Sequence, residues 1–302
     1  MGLENCQVVS DPNQLETICA DKSIKVVIVS SLMERKKLFV SSALKAGKTV
    51  LCDRPLAPNA DDVRQLFDLA RKSKAILLAN LPGRPGKAFT PVIMSLVSSA
   101  SNIQINRLSA ANGTYDYSKC PVIDINSEAT SAMILDVAMH DVSAVNFCMC
   151  MRPTEVSAKI SPTSKSVCII MLSYPNGCTV EVSAAIGQES FDAQQFTVYG
   201  ERLSDMRRVD HMNTCDMMST GNSTNEMDTN GQQRAIRFTQ VYEKAGQDAL
   251  EQAYAFSAGH QELALRVRPH LMEQNCCDNL VVKDAALESL LNGGKSVPTK
   301  YW

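Results

Sequence analysis

Between residues 131 and 150 the chain reads SAMILDVAMHDVSAVNFCMC, an apolar helical pattern interrupted by Asp136, His140 and Asp141. On a helix, positions 136 and 140 stand one turn apart on one face, while 141 is turned about 100° further round. A carboxylate beside an imidazole raises its basicity and fixes its orientation, which is what a general base needs to take a proton from an alcohol near neutral pH. The plain alternative is an Asp–His pair on a helix surface, or a histidine satisfied in the core. A second group of polar residues falls at the ends of short apolar runs: Ser30 and Ser31, then Asp53, Arg54 and Pro55, then Asn80 and Arg84. Ligands of open parallel sheets bind beyond the carboxyl ends of the strands, so these residues are candidates for a binding edge. An ordinary exposed, salt-bridged turn is the competing reading.

The value of these positions depends on the elements that hold them. KVVIVS (25–30) is a β-branched run bounded by polar residues and reads as a buried strand. ERKKLFVSSALKAG (34–47) has apolar residues at helical spacing and closes with Gly47, a C-cap residue. TVLCDRP (49–55) is a second strand, ended by a proline that cannot donate to a ladder. NADDVRQLFDLARKSK (59–74) opens with Asn59 as N-cap and two acids, and ends on basic residues that suit the helix dipole. AILLAN (75–80) is the third strand, and QVVS (7–10) is expected as a further one. Strand and helix alternating at this spacing predict a parallel α/β sheet with right-handed crossovers.

The second part has a different grammar. VCIIMLSYPNGCTVEVSAAI contains two β-rich runs joined by YPNG, and the Asn176-Gly177 pair predicts a type I′ hairpin turn. QFTVYG (195–200) adds a strand, residues 203–233 read as a long loop, and 240–259 and VVKDAALESLLNGG return to helix. Consecutive strands with tight turns predict an antiparallel sheet and an α+β part.

The bulk numbers narrow the partners. The 302 residues suffice for two domains of ordinary size. With 45% hydrophobic and 21% charged residues and a formal net charge of −2, the chain has no electrostatic handle for nucleic acid or an anionic membrane. No apolar run is long enough to span a bilayer and the first residues lack a signal-peptide pattern, so the expectation is a cytoplasmic protein with a small-molecule partner. Nine of the eleven cysteines are scattered, mostly among apolar neighbours, as buried reduced thiols are, and neither the adjacent Cys276 and Cys277 nor the CMC of 148–150 has the CxxC spacing that suits a metal site.

Three stretches in order, VIVSSLMERKKLFVSSALKAGKTVLCDRPLA (27–57), LDVAMHD (135–141) and YPNGCTVEVSAAIGQESFDAQQFTVYGE (174–201), resemble the family of glucose-fructose oxidoreductase, inositol dehydrogenase and MocA-type oxidoreductases. The resemblance runs from about residue 6 to 302, with inositol dehydrogenases most alike. It implies an α/β fold in which an incomplete Rossmann-type parallel sheet (residues 1–103, dinucleotide binding) is followed by an α+β domain with a mostly antiparallel sheet (104–302, substrate and oligomerisation).

The implied activity is hydride transfer between NAD or NADP and a polyol or sugar-like alcohol. His140 is then the acid or base at the hydroxyl, Asp136 orients it and contacts substrate, Arg54 stands where the family has a lysine, and Asp192 in FDAQ lies near the substrate. Ser30, Ser31, Asp53, Arg54, Pro55, Asn80 and Arg84 fall to the cofactor edge, and the bond before Pro55 is expected to be cis. A homo-oligomer, dimer or tetramer, is implied as well.

The sequence also departs from the family's pattern. Its glycine-rich first turn has no counterpart here, QVVS resembles the family's third strand, and KVVIVS is expected to expose an apolar edge. Leu32 and Lys36 replace a usual proline and histidine, and FDAQ lacks the tyrosine and arginine of YDQR. Those departures admit a truncated form or a catalytically silent paralogue serving as a binding or oligomerisation partner.

Overall fold

The computed structural model describes residues 9, 11–31, 33–80, 100–110, 135, 138–139, 141–143, 145–146, 149–161, 167–187, 191–199, 207–214, 236–237, 253, 257–258 and 269–301. The chain divides into two compact units: residues 1–80 with 247–277, and residues 81–246 with 278–302.

In the first unit, a short helix α1 (Leu15–Ala20) precedes strand β1 (Val26–Val29), helix α2 (Met33–Lys45), strand β2 (Thr49–Asp53), helix α3 (Ala60–Lys72) and strand β3 (Ile76–Asn80). The three strands form one parallel sheet in the order β1-β2-β3. The predicted strand–helix alternation is therefore present. β2 is central, and its first four residues are all buried, as a strand covered on both faces requires. β1 lies at the sheet edge among the described residues, and Ile28 on it is 48% exposed, in line with the expected apolar edge.

The predicted caps are also present. Asn59 Oδ1 accepts from the Asp62 amide at 2.8 Å, and Ala60, Val63, Leu66, Phe67 and Ala70 form the buried stripe of α3. After α2, Gly47 takes φ +73°, and the Lys48 amide donates back to the Ala43 carbonyl at 3.1 Å. Of the expected strand QVVS, only Val9 is described, and it is not in a strand; the rest lies outside the described residues.

The second unit is built on an eight-stranded mixed sheet. Its strands are β4 (Asn102–Ala110), β5 (Glu155–Ile160), β6 (Val167–Ser173), β7 (Thr179–Gly187), β8 (Phe191–Tyr199), β9 (Arg207–Thr214), β10 (Ile236–Arg237) and β11 (Val297–Pro298). Their order is β10-β9-β8-β4-β7-β6-β5-β11, with β4·β7 and β10·β9 parallel and the other pairs antiparallel. Alternate residues of β4 to β7 face one core: Ile103 and Ile105, Val156 and Ala158, Cys168, Ile170 and Leu172, Val180, Val182 and Ala184. Covering that face are Leu135, Ala138, Met139, Val142, Val145 and Met149, together with Val282, Ala285 and Ala286 of helix α4 (Pro269–Leu291). Each fully buried Ile or Leu of this set contributes about 1.5–3 kcal/mol.

Two sequence expectations need correction. The β6–β7 turn is not type I′, which requires positive φ at both central residues. Here the Gly177 amide closes on the Tyr174 carbonyl at 3.0 Å, so Pro175 and Asn176 are central, and only Gly177 takes positive φ, at +83°. Proline at the first central position imposes its own negative φ, and the glycine follows as the left-handed residue. The stretch read as a loop from 203 to 233 contains β9, whose polar residues RRVDHMNT pair antiparallel with β8; residues 215–233 lie outside the described residues. Cross-strand pairing supplies what local propensity does not.

Candidate active site

The registry of the parallel sheet gathers the strand-end residues. Val29 pairs with Cys52, and Asp53 pairs with Asn80, so β1, β2 and β3 finish at nearly one level. Ser30 and Ser31 follow β1, with Ser30 exposed and Ser31 partly buried. Asp53 ends β2, and Asp53, Arg54 and Pro55 are each partly buried. The Arg54–Pro55 peptide is cis, as expected from the sequence. Asn80 ends β3, its side chain outside the described set. Five of the seven residues assigned to the cofactor edge thus have described side chains at the carboxyl end of the sheet, where ligands of such sheets bind. Arg84 lies outside the described residues.

Sequence reasoning gave no role to the group that organises this edge. Lys36, on α2, is only 4% exposed, and its Nζ donates to the carbonyls of both Asp53 and Pro55 at 3.1 Å. The signal was available: Lys36 sits on the same helical stripe as the buried Val40, Ala43 and Leu44, where a solvated lysine does not belong. Beside it, burial pushes the Cys52 thiol up to about 12, against the opposing pull of the Lys36 charge. Cys52 is buried, and its Sγ donates to the Asp53 carbonyl at 3.3 Å.

In the second unit, described positions between 135 and 149 are helical, as expected for the segment carrying DVAMHD. Asp141 is fully buried and Ser143 is 4% exposed. A chain of hydrogen bonds braces this segment. Asn279 Nδ2 donates to Ser143 Oγ at 2.9 Å, Asn146 Nδ2 to Asn279 Oδ1 at 3.2 Å, and Tyr174 Oη to Asn146 Oδ1 at 2.6 Å. Asp136 and His140 themselves lie outside the described residues. Asp192 falls in β8 opposite Asn213 of β9, with its side chain outside the described set.

The described edge presents Ser30, Ser31 and the Asp53–Pro55 turn, polar groups at the carboxyl end of a parallel sheet where ligands of such folds bind. Among the described residues, no group of three His, Cys, Asp or Glu side chains could hold a metal, and no helix is long and apolar enough to cross a membrane.

Comparison with known proteins bears on the first unit and on the fold. Residues 3–81 match the family described as "Oxidoreductase family, NAD-binding Rossmann fold". The chain is 27% identical over 148 residues to 1,5-anhydro-D-fructose reductase of Ensifer adhaerens, covering 48% of this chain and 43% of that one. It spans about half or less of the length of the curated relatives it matches.

The fold itself is shared over nearly the whole chain. Myo-inositol 2-dehydrogenase of Lactobacillus plantarum superposes with a TM-score of 0.69 at 12% identity, covering 96% of this chain and 84% of that one. An inositol dehydrogenase homolog of Azotobacter vinelandii, solved with NAD+, gives 0.67 at 14% identity, with coverages of 94% and 81%.

Proposed function

From a chain whose residues 3–81 match the glucose-fructose oxidoreductase, inositol dehydrogenase and MocA-type family, and whose fold is that of inositol dehydrogenases, we propose an NAD(P)-dependent oxidoreductase acting on a polyol or sugar-derived alcohol. The observation that carries this reading is the polar carboxyl edge: Ser30, Ser31 and the Asp53–Arg54–Pro55 turn at one level of a parallel sheet, with the turn tied down by Lys36. Residues 1–103 serve the cofactor in this reading, and 104–302 the substrate and self-association.

The residues divide the work as follows. Ser30, Ser31, Asp53, Arg54, Pro55, Asn80 and Arg84 hold the dinucleotide, which supplies a hydride acceptor when bound. Arg54 orients a substrate hydroxyl; its guanidinium stays charged and does not relay the proton. His140 accepts the hydroxyl proton as the hydride leaves the same carbon, so a neutral ketone and a protonated imidazole remain. Asp136 holds the imidazole and stabilises its charged form. Asp192 contacts substrate. A homo-oligomer, dimer or tetramer, accompanies this reading, supported by the face of β6 away from the core, where Ile169 is 37% exposed between the partly buried Val167 and Met171.

Titration with NADH and NADPH, followed by nicotinamide fluorescence, tests the proposal. Saturable binding of either dinucleotide is expected, followed by reduction of NAD or NADP in the presence of inositols or sugar alcohols. A chain that binds neither is not a dehydrogenase.

A further inference from the structure

We propose that Lys36 is a positioning residue of the carboxyl edge: its ammonium holds the backbone on both sides of Arg54 and so sets where the guanidinium stands. The two carbonyls that take its protons belong to Asp53 and Pro55, the residues flanking Arg54, each at 3.1 Å. Those carbonyls lie 17 and 19 residues along the chain from Lys36, so the contact ties helix α2 to the turn after β2. The effect on substrate rests on the oxidoreductase reading; the clamp itself does not.

The charge is what makes the contact informative. Burying an ammonium is costly unless acceptors take up its protons, so a lysine that only packed α2 against the sheet is disfavoured relative to an apolar residue. A four-carbon stem along the stripe of Val40, Ala43 and Leu44, ending in three donors, satisfies two carbonyls at once from one side chain. A neutral hydroxyl or amide at position 36 lacks either the reach or the donor number. Its field also acts at the end of β2, where it is the charge that opposes the burial-driven rise of the Cys52 thiol.

The test compares the full chain with Lys36→Met, Lys36→Gln and Lys36→Arg in 1H–15N spectra, with the Arg54 Nε–Hε resonance assigned from Arg54→Lys. The clamp predicts that Met and Gln displace this resonance and speed amide exchange at Arg54 and Leu56 about tenfold or more, while Val50 and Leu51 keep their protection. The Arg variant, which keeps charge and donors, is expected to restore both. An unmoved Arg54 resonance in a folded Met or Gln variant, or a uniform loss of protection along β2, overturns the proposal.

If the Met variant does not fold, the Gln and Arg pair decides alone. Where the wild type turns over an alcohol, Lys36→Met is expected to lower kcat about tenfold and Lys36→Arg to restore it. A wild type without turnover defeats the oxidoreductase reading, while the spectra still decide for or against the clamp.

Discussion

Asn279 of α4 donates its side-chain amide to the hydroxyl of Ser143 at 2.9 Å, joining the C-terminal helix to the segment that carries the Asp–His motif. Through Asn146 the chain continues to the Tyr174 hydroxyl at the β6–β7 turn. Each member supports the next, and buried donors and acceptors cost more unpaired than they contribute paired.

Asn279→Ala is therefore expected to destabilise the protein by about 1–3 kcal/mol in urea denaturation, and Tyr174→Phe, at the end of the chain, by less. Additive effects in the double variant would mean that the groups do not act as one network.

Ser289, fully buried on α4, accepts from the Ala158 amide of β5 at 2.9 Å and donates to the Lys295 carbonyl at 2.6 Å. It thus satisfies a strand N–H and the loop that leads into β11. Ser289→Ala is expected to cost about 1–3 kcal/mol and to lower the melting temperature. Ser289→Cys, nearly isosteric with a weak donor, is expected to recover part of the loss. A melting temperature equal to wild type in both would show that another group serves these backbone atoms.

Tyr301 stacks under Arg152, whose guanidinium carbon lies 4.8 Å from the ring centroid and whose Nε donates to Asp278 at 2.8 Å. Burial pushes the Tyr301 phenol up to about 12, with the Asp278 charge acting the same way against Thr299 and Arg152. A phenol whose folded pKa lies above its unfolded value near 10 favours the folded state while protonated. The unfolded chain loses this proton first, so stability is fully present below pH 10 and falls between pH 10 and 12. The slope of stability against pH in that window is expected to be smaller in Tyr301→Phe, measured by denaturation at several pH values. Equal slopes would contradict the shift.

His140→Gln is expected to lower turnover about 10²-fold or more while leaving NADH binding within about twofold, because the imidazole acts on the alcohol proton and not on the dinucleotide. Arg54→Ala is expected to raise KM for the alcohol and also reduce kcat. An unchanged rate in His140→Gln would remove it from the proton transfer.

Much of the first unit was legible because its information is local. A β-branched run bounded by polar residues, an Asn59 that can cap, a Gly47 that can turn left and a stripe of Val63, Leu66, Phe67 and Ala70 are each short-range preferences that agree with one another. The strand-end residues followed from that reading, because a parallel sheet delivers all its carboxyl ends to one edge. The cis Arg54–Pro55 bond was visible only through family resemblance.

The sequence by itself therefore determined the alternation of strands and helices from β1 to β3, the candidate residues at their ends, and the class of the second unit. Tertiary structure alone decided that polar β9 is a strand, because its partner β8 provides the ladder, and that β4 lies parallel to β7 across 77 residues of chain, pinned where Asn102 donates to Thr179. It also decided that Lys36 is a buried clamp on the turn bearing Arg54. Pairing and burial between distant segments are cooperative properties of the assembled chain, and no window of neighbouring residues contains them.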